Sequence, residues 1–259
     1  MSDFDVFENR WEISGKINLV TPLRIGGGQN AGAYSLSQTP VLLSYDAETD
    51  TAEPYIPGSS LKGVLRSAVE RIVRTFNEDR ACIAVGDYKT AKVLCGNDKC
   101  ISCSIFGSMK SGAMVRMQDS HLSADVRFGG MLDDRPHCAT IFIKKGEYYE
   151  IKMKSQRMGN RTVNRPAIFL RQEEVVAANT SFDLSIKLDN AEMIDVGFLL
   201  LGLDEFNAKR CFIGGGSSRG HGFVEVMDIK VIKKSLNGIS IKEVSYDVDK
   251  IRKLSLIHI

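Results

Sequence analysis

The sequence 55-YIPGSSLKGVLRSAVERIVR-74 contains the clearest helix signal in the chain. Apolar residues recur there with the period of an α-helix, and this spacing predicts one amphipathic helix near residues 60–76. The apolar stripe consists of Leu61, Leu65, Val69, Ile72 and Val73. Ser59 or Ser60 is expected to cap the helix, because a hydroxyl oxygen accepts a hydrogen bond from an N–H of the first turn.

The start of this helix also carries groups that could bind an anion. Lys62 and Arg66 are four residues apart and therefore share one helix face. The N–H groups of a first turn and the helix dipole favour negative charge at the same place. An ordinary capped surface helix is the alternative for this stretch, because capping signals are common.

Composition limits the class of protein. The 259 residues suit one large domain, and 43% hydrophobic with 25% charged residues is typical of a globular chain. Net charge is only +2, so any binding of nucleic acid must depend on local basic clusters. The N-terminal MSDFDVFENRWEI lacks the pattern of a signal peptide, and IDVGFLLLGL (194–203) is too short to span a membrane. We therefore expect a cytoplasmic protein without a membrane partner.

Alternating and periodic apolar residues predict the other elements. Strands are expected near 11–20, 40–45, 113–118, 167–171, 182–188 and 223–232, with two further strand-like runs within 139–153 that turn at 144–146. A strongly apolar helix is expected at 194–206, and residues 46–53 form a polar hairpin tip. No element is assigned beyond about residue 235.

Two glycine-rich segments follow strand or helix signals, 24-RIGGGQNAG-32 and 212-FIGGGSSRGHG-222. Such loops let a backbone approach a ligand closely, and consecutive N–H groups can bind an anion. A flexible loop or an ordinary turn is the alternative for each segment. Neither segment ends in the Gly-Lys-Ser/Thr of a phosphate-binding P-loop, so nucleotide hydrolysis is not indicated.

The segment 154-KSQRMGNRTVNR-165 has one lysine and three arginines without a hydrophobic period. This pattern predicts an exposed basic loop, and a merely solvated surface is the alternative interpretation.

Four of the six cysteines follow the spacing C-x12-C-x4-C-x2-C, at Cys82, Cys95, Cys100 and Cys103. Four thiolates complete a closed tetrahedral set, so the pattern predicts a structural zinc site. His137 and Cys138 are spare candidates if one ligand is misassigned. Four unligated thiols in a reduced loop are the alternative.

Three separated motifs occur in one chain: IGGG (25–28), PYIPGSSLKG-x-x-R (54–66) and GGGSSRGHG (214–222). Together they resemble the RAMP superfamily of CRISPR-associated proteins, and more narrowly the repeated backbone subunit of type III effector complexes. SIFGS (104–108), GAMVRMQDSHLS (112–123) and NRPAIFLRQEEVVAANTSFDLSI (164–186) extend the resemblance over about residues 11–230.

The resemblance implies an α+β fold with an RRM-like, or ferredoxin-like, β-α-β-β-α-β palm. A single domain would cover residues 1–259, with a β-hairpin thumb inserted at about 139–175. A zinc-bound insertion at about 78–108 resembles that of some type III-D-like subunits.

The resemblance also implies a role in antiviral defence as part of a ribonucleoprotein complex. Copies of such a subunit stack as a helical filament along the CRISPR guide RNA, next to a RAMP subunit that caps the guide 5′ end. The thumb interrupts the duplex with complementary target RNA. The residues expected to contact RNA are Arg24, Gly26, Gly27, Ser59, Ser60, Lys62, Arg66, Arg157, Arg161, Arg165, Gly215, Ser217, Ser218 and Arg219.

One departure from the family pattern concerns cutting. Active backbone subunits carry an aspartate two residues before a Pro-Val pair, and the matching residue here is Gln38, before Pro40-Val41. Glutamine can neither act as a base nor offer Mg²⁺ a charged oxygen. The sequence therefore predicts no catalytic residue and a scaffold that is not an enzyme.

Such a scaffold resembles the type VII backbone subunit, which recruits a separate nuclease. The main alternative is a type III-D-like subunit that cuts target RNA with a carboxylate not yet located. A free-standing guide-RNA-processing endonuclease is a third interpretation, for which His221 is the only candidate.

Overall fold

A computed structural model of the chain describes residues 6–26, 41–46, 51–82, 100–108, 111–123, 149–158, 167–237 and 240–257. Its elements, in chain order, are β1 (Asn9–Leu19), β2 (Leu43–Asp46), β3 (Thr51–Pro54), α1 (Gly58–Phe76), α2 (Ile101–Phe106), β4 (Val115–Met117), β5 (Tyr149–Met158), β6 (Ala167–Val176), β7 (Ser181–Asp189), α3 (Met193–Asn207), β8 (Val224–Asn237), β9 (Ser240–Tyr246) and α4 (Val248–Ile257). None of the helices in these ranges has the length and apolar character needed to cross a lipid bilayer.

Five strands form one antiparallel sheet in the order β4-β7-β1-β8-β9. α1 connects β1 to β4 and α3 connects β7 to β8, so the elements follow the ferredoxin-like β-α-β-β-α-β order with β9 added at one edge. The predicted α+β class is confirmed. β2 with β3, and β5 with β6, form separate two-stranded hairpins.

The strand β1 shows why its sequence folds as predicted. Trp11, Ile13, Ile17 and Leu19 alternate along it and are buried in the core with the helices. Residues between them point to the other side of the sheet, where ion pairs cross between strands, as in Lys234 Nζ to Glu12 Oε2 at 2.9 Å. One buried and one polar face fix the register, because a slip of one residue would exchange them.

The predicted apolar stripe of α1 packs on α3. Leu61, Leu65, Val69 and Val73 are buried. A Cβ at Gly202 of α3 would lie 2.7 Å from a methyl carbon of Leu65, so a larger residue there would force the Leu65 side chain to shift.

The tail, for which the sequence predicted no element, forms β9 and α4. α4 packs on α3, with Ile251 buried and Arg252 paired to Asp204 of α3 at 2.6 Å. This packing explains why α3 is apolar around most of its circumference, since both α1 and α4 lie against it.

Two local predictions are corrected by the hairpins. Thr51–Pro54 is a strand, so the hairpin tip is narrower than 46–53. The loop predicted at 154–165 is wrong for residues 154–158, which pair with β6 as part of β5. The sequence predicts strands from an alternation of apolar and polar side chains, and this basic segment lacks that alternation. Its backbone nevertheless pairs with β6, because backbone hydrogen bonds do not depend on the hydropathy of the side chains. The turn predicted at 144–146 lies outside the described residues.

A buried carboxylate joins the C-terminal part of α3 to α1. Glu205, whose side chain is 9% exposed, accepts hydrogen bonds from Arg210 and, at 3.0 Å, from Arg71 Nη2 of α1. The hydrogen bond from the Arg210 guanidinium is the main cause that lowers the pKa of Glu205 below its ordinary value, and Arg71 acts in the same direction.

We expect Glu205→Gln to lower the free energy of unfolding at neutral pH by about 1–3 kcal/mol, the usual contribution of hydrogen bonds to a charged group. Because folding depresses this pKa, the stabilisation exists above the pKa of the unfolded state. It is lost as the pH falls through the lower folded-state pKa. Urea unfolding across the acid range should therefore show the gap between wild type and variant closing. The matched control is Glu78→Gln, at an exposed glutamate, and an equal loss there would contradict the prediction.

Candidate nucleic-acid interface

Most of the predicted site residues that the structure describes lie at one end of the five-stranded sheet. β1 and β4 end there, and β7 and β8 begin there, because β7 and β8 run antiparallel to β1. We call this region the loop end. It consists of residues 20–26, 54–62, 118–123, 176–180 and 213–223.

The second glycine-rich segment packs directly on the segment that follows β1. The N–H of Gly215 donates to the Arg24 carbonyl at 2.8 Å, and the N–H of Gly222 donates to the Pro22 carbonyl at 3.0 Å. Gly214 has φ +77°, and a Cβ there would collide with the Arg24 carbonyl oxygen. Glycine is thus required at this position, and the close packing places Arg24 beside the loop.

Ser217–Arg219 form a short 3-10 helix between two left-handed glycines, Gly216 and Gly220. The N–H of Arg219 donates to Gly216 and that of Gly220 to Ser217, so these N–H groups serve the loop itself. The N–H groups of Arg219 and Gly220 are therefore not available to an anion, and anion binding by the rest of the loop stays a prediction. The exposed residues of the segment 214–222 are Gly214, Gly215, Ser218, Arg219 and Gly220.

The start of α1 differs from the prediction. Pro57 is the N-cap residue, and neither Ser59 nor Ser60 caps the helix through its side chain. Instead the carboxylate of Asp119, just after β4, accepts a hydrogen bond from Gly58 N at 2.8 Å. A Cβ at Gly58 would collide with the Met117 carbonyl oxygen, so the Pro-Gly pair of the motif allows α1 to begin against β4.

The first turn nevertheless presents polar groups at the loop end. Ser59 is exposed, while Ser60 and Lys62 are half-buried. Burial, and secondarily the nearby charge of Arg66, lower the pKa of Lys62. A phosphate beside Lys62 would favour its charged form and so offset both effects.

A pair of aromatic rings beside this turn was missed by sequence analysis. Tyr55 and His121 flank the isolated bridge between Ile56 and Ser120, and their rings stack with centroids 5.8 Å apart. Ile56 and Ser120 point inward and are buried, which places the neighbouring rings on the outer side. The two rings belong to segments on opposite sides of α1 in the chain, so no local pattern could reveal the pair.

Arg66 points along α1 towards α2 rather than to the first turn. Its Nε donates to Glu70 Oε1 at 2.8 Å, and its Nη1 donates to the Gly107 carbonyl at 3.2 Å. Burial opposes the charged guanidinium, but Glu70 and the nearby Cys103 and Cys82 together raise the pKa of Arg66. Its interaction with RNA stays a prediction.

Three of the four predicted zinc ligands come together at the start of α2, which packs on α1. The sulfur atoms of Cys82, Cys100 and Cys103 lie within 4.8 Å of one another, and those of Cys82 and Cys103 are 3.3 Å apart. Tetrahedral thiolates about 2.3 Å from zinc are separated by about 3.8 Å, so the cluster has the dimensions of a metal site. Cys95 lies outside the described residues.

The hydrogen bonds of the Cys100 sulfur are also consistent with a metal ligand. This sulfur accepts from the N–H of Cys82 at 3.4 Å and from that of Cys103 at 3.5 Å, and it caps α2. Backbone N–H groups directed at a sulfur favour its thiolate form, which is the form that binds zinc.

The hairpin of β5 and β6 starts from the loop end. Leu23, next to Arg24, exchanges hydrogen bonds with Val176 at the end of β6, at 2.9 and 2.7 Å. This two-stranded sheet lies within the range predicted for the thumb, whose limits stay a prediction. Arg157 belongs to β5 by its backbone, and Gly26 bridges to Val41. Gly27, Gln38, Arg161 and Arg165 lie outside the described residues.

The strand order and the two helices that connect the strands define a ferredoxin-like fold, to which β5 and β6 add a separate two-stranded hairpin. The chain belongs to the RAMP superfamily, whose family model matches residues 16–225. This match confirms the family indicated by the three motifs.

Two relatives support the match. A protein named CRISPR system Cms endoribonuclease Csm3 from Methanocaldococcus jannaschii is 27% identical over 237 residues, covering 86% of this chain and 80% of the relative. A protein of the same name from Enterococcus italicus is 26% identical over 213 residues, covering 81% and 86%.

Two solved structures have a similar fold. A chain of the type III-B Cmr-beta complex bound to cognate target RNA superposes with a TM-score of 0.56 at 15% identity. The match covers 87% of this chain but only 61% of that one. A chain of the Csm3-Csm4 subcomplex of the type III-A interference complex gives 0.50 at 19% identity, with 97% of both chains covered.

These relatives correct one prediction. The chain was expected not to be an enzyme, because Gln38 replaces the slicing aspartate, but the curated relatives are named endoribonucleases. A single substituted position in the loop 25–40 was too narrow a basis for excluding catalysis.

Proposed function

We propose that the chain is an RNA-binding backbone subunit of a CRISPR RNA-guided effector complex. Copies of it multimerise along the guide RNA and hold complementary target RNA, next to a subunit that caps the guide 5′ end. The observation that carries this proposal is the loop end. There the glycine-rich loop with Arg219, the Arg24 segment, the first turn of α1 with Lys62 and the base of the β5–β6 hairpin share one end of the sheet.

The dimensions of the loop end suit a nucleic-acid backbone. The first turn of α1 lies at β4 and the glycine-rich loop lies at β8, three inter-strand spacings apart, which is about 14 Å. Arginine, lysine and serine groups along such a track bind phosphates and 2′-hydroxyls rather than base edges. Binding of this kind accepts a guide of any sequence, as an RNA-guided complex requires.

Within this class we propose a type III-D-like subunit that cuts its target RNA. The names of the curated relatives support cutting, and the cysteine cluster supports a zinc-bound insertion of the type III-D kind. The type VII assignment depended on a chain that does not cut, so it is not retained. The catalytic carboxylate is unassigned, because residues 25–40, which include Gln38, contain no aspartate or glutamate.

We expect Lys62→Gln and Arg219→Gln each to weaken guide-RNA binding by about three- to ten-fold, independently of guide sequence, because each removes a charge-assisted hydrogen bond to the RNA backbone. The slope of log affinity against log salt should become shallower by about 0.7 for each phosphate of the single strand that the variant no longer neutralises. Filter binding with two unrelated guides at several salt concentrations measures both quantities. Lys250→Gln, at an exposed lysine on α4, is the control of equal charge change.

A decrease in affinity that differs strongly between the two guides would contradict binding to the RNA backbone. Equal decreases for Lys250→Gln and Lys62→Gln would show that the loop end is not the binding surface.

We expect the subunit, assembled with guide RNA and its capping partner, to cut labelled complementary RNA into regularly spaced fragments when Mg²⁺ or Mn²⁺ is present. Divalent metal is required because it stabilises the charge that develops on the phosphate. Tight target binding without fragments would overturn the cutting proposal. Asp46→Asn tests the aspartate at the end of β2, and Glu53→Gln on the paired strand β3 is its control.

We expect one zinc ion per chain, bound by Cys82, Cys95, Cys100 and Cys103. Elemental analysis of the purified chain should give a stoichiometry near one, and Cys100→Ser with Cys103→Ser should abolish it, since two of four thiolates are removed. Cys211→Ser is the control, because this cysteine lies between α3 and β8, where Arg71 is hydrogen-bonded to its sulfur. Zinc retained by the double variant would contradict the assignment.

A further inference from the structure

We propose that Glu70 and Ser102 are positioning residues that couple the cysteine cluster to RNA binding by fixing the guanidinium of Arg66. The inference rests on the proposed function, in which the Lys62 face of α1 binds the RNA backbone. It adds a role for two residues that touch no RNA, and it makes the cluster more than a support for its own loop.

The hydrogen bonds form one continuous path from the cluster to α1. Ser102 stands between Cys100 and Cys103 on α2 and is fully buried. Its hydroxyl donates to Glu70 Oε1 at 2.7 Å, and the same oxygen accepts from Arg66 Nε at 2.8 Å. We call these three residues, Arg66, Glu70 and Ser102, the relay.

The burial of Glu70 makes the relay rigid. Its side chain is 8% exposed, and an unpaired buried carboxylate is costly. Glu70 therefore needs the charge of Arg66 and the hydrogen bond from Ser102, and this requirement holds both partners in place. The Gly107 carbonyl at the end of α2 accepts from Arg66 Nη1 at 3.2 Å. Arg66 is therefore held in two ways: by Glu70, which Ser102 of α2 contacts in turn, and by the Gly107 carbonyl that follows α2.

The relay also fixes the position of Arg66 relative to the loop end. Lys62 and Arg66 are one helical turn apart on the same face, about 6 Å along the axis of α1. Two of the five guanidinium donors are used by Glu70 and Gly107, which sets the plane of the group beside a bound backbone. If α2 moves, the plane of Arg66 changes while Lys62 keeps its place in the first turn.

The test is a set of guide-RNA affinities for Ser102→Ala in three backgrounds: wild type, Arg66→Gln and Lys62→Gln. In the wild type, Ser102→Ala should weaken binding by about three-fold and make the salt slope shallower, because Arg66 is no longer held in place. In the Arg66→Gln background it should have no further effect, since its target is gone. In the Lys62→Gln background the full three-fold effect should return, because Lys62 binds independently.

The matched control is Ser104→Ala, an exposed serine of the same helix, which should bind guide RNA like the wild type. Glu70→Gln is a second variant of nearly identical shape that removes only the charge facing Arg66, and it should repeat the pattern across the three backgrounds. Thermal unfolding of each variant reports how much fold stability decreases in parallel.

Equal effects in all three backgrounds would show a general structural role and overturn the inference. Unchanged binding by Ser102→Ala, with binding still weakened by Lys62→Gln, would overturn the inference and leave the proposed function intact. If neither Lys62→Gln nor Arg66→Gln weakens RNA binding, the proposed function fails as well.

The coupling to the cysteine cluster has its own measurement. Removing metal with a chelator should lower the guide-RNA affinity of the wild type to that of Arg66→Gln, and should leave the affinity of Arg66→Gln itself unchanged. Equal affinities of the wild type before and after chelation would overturn the coupling.

Discussion

The strand β1 carries the constraint on which the rest of the molecule depends, because it is hydrogen-bonded on both sides, to β7 and to β8. Its buried face shares the hydrophobic core with α1 and α3. The segment that follows its last residue contains Arg24, whose carbonyl is hydrogen-bonded to the glycine-rich loop. A fixed register in this one strand therefore sets the position of the core, the loop and the base of the β5–β6 hairpin together.

Long periodic segments could be read from the sequence, and interactions between distant segments could not. The stripe of α1 and the apolar run of α3 predicted both helices within a few residues. The cap of α1 was misassigned to Ser59 or Ser60, because the group that performs this role, Asp119, lies 61 residues along the chain from Gly58. Local propensity favours a nearby hydroxyl whenever one is present.

In the candidate site, too, some features could be predicted from the sequence and others depend on contacts between distant segments. Glycine spacing placed the loop at residues 214–222, and cysteine spacing placed three sulfur atoms that do meet. The i,i+4 pair of Arg66 and Glu70 is visible in the sequence, but the hydroxyl of Ser102 that completes the relay is not. Its role appears only once α2 is packed on α1. Chemistry that depends on tertiary packing has no signature in one sequence.

The two edge strands of the five-stranded sheet limit how copies of the chain can associate. One outer strand, β4, has three residues, and the other, β9, carries the adjacent charged residues Lys242 and Glu243. Short and charged borders discourage a sheet from continuing into a neighbouring molecule. If copies of the chain line up along an RNA, as proposed above, the RNA and not open-ended growth of β-structure would set the length of the array.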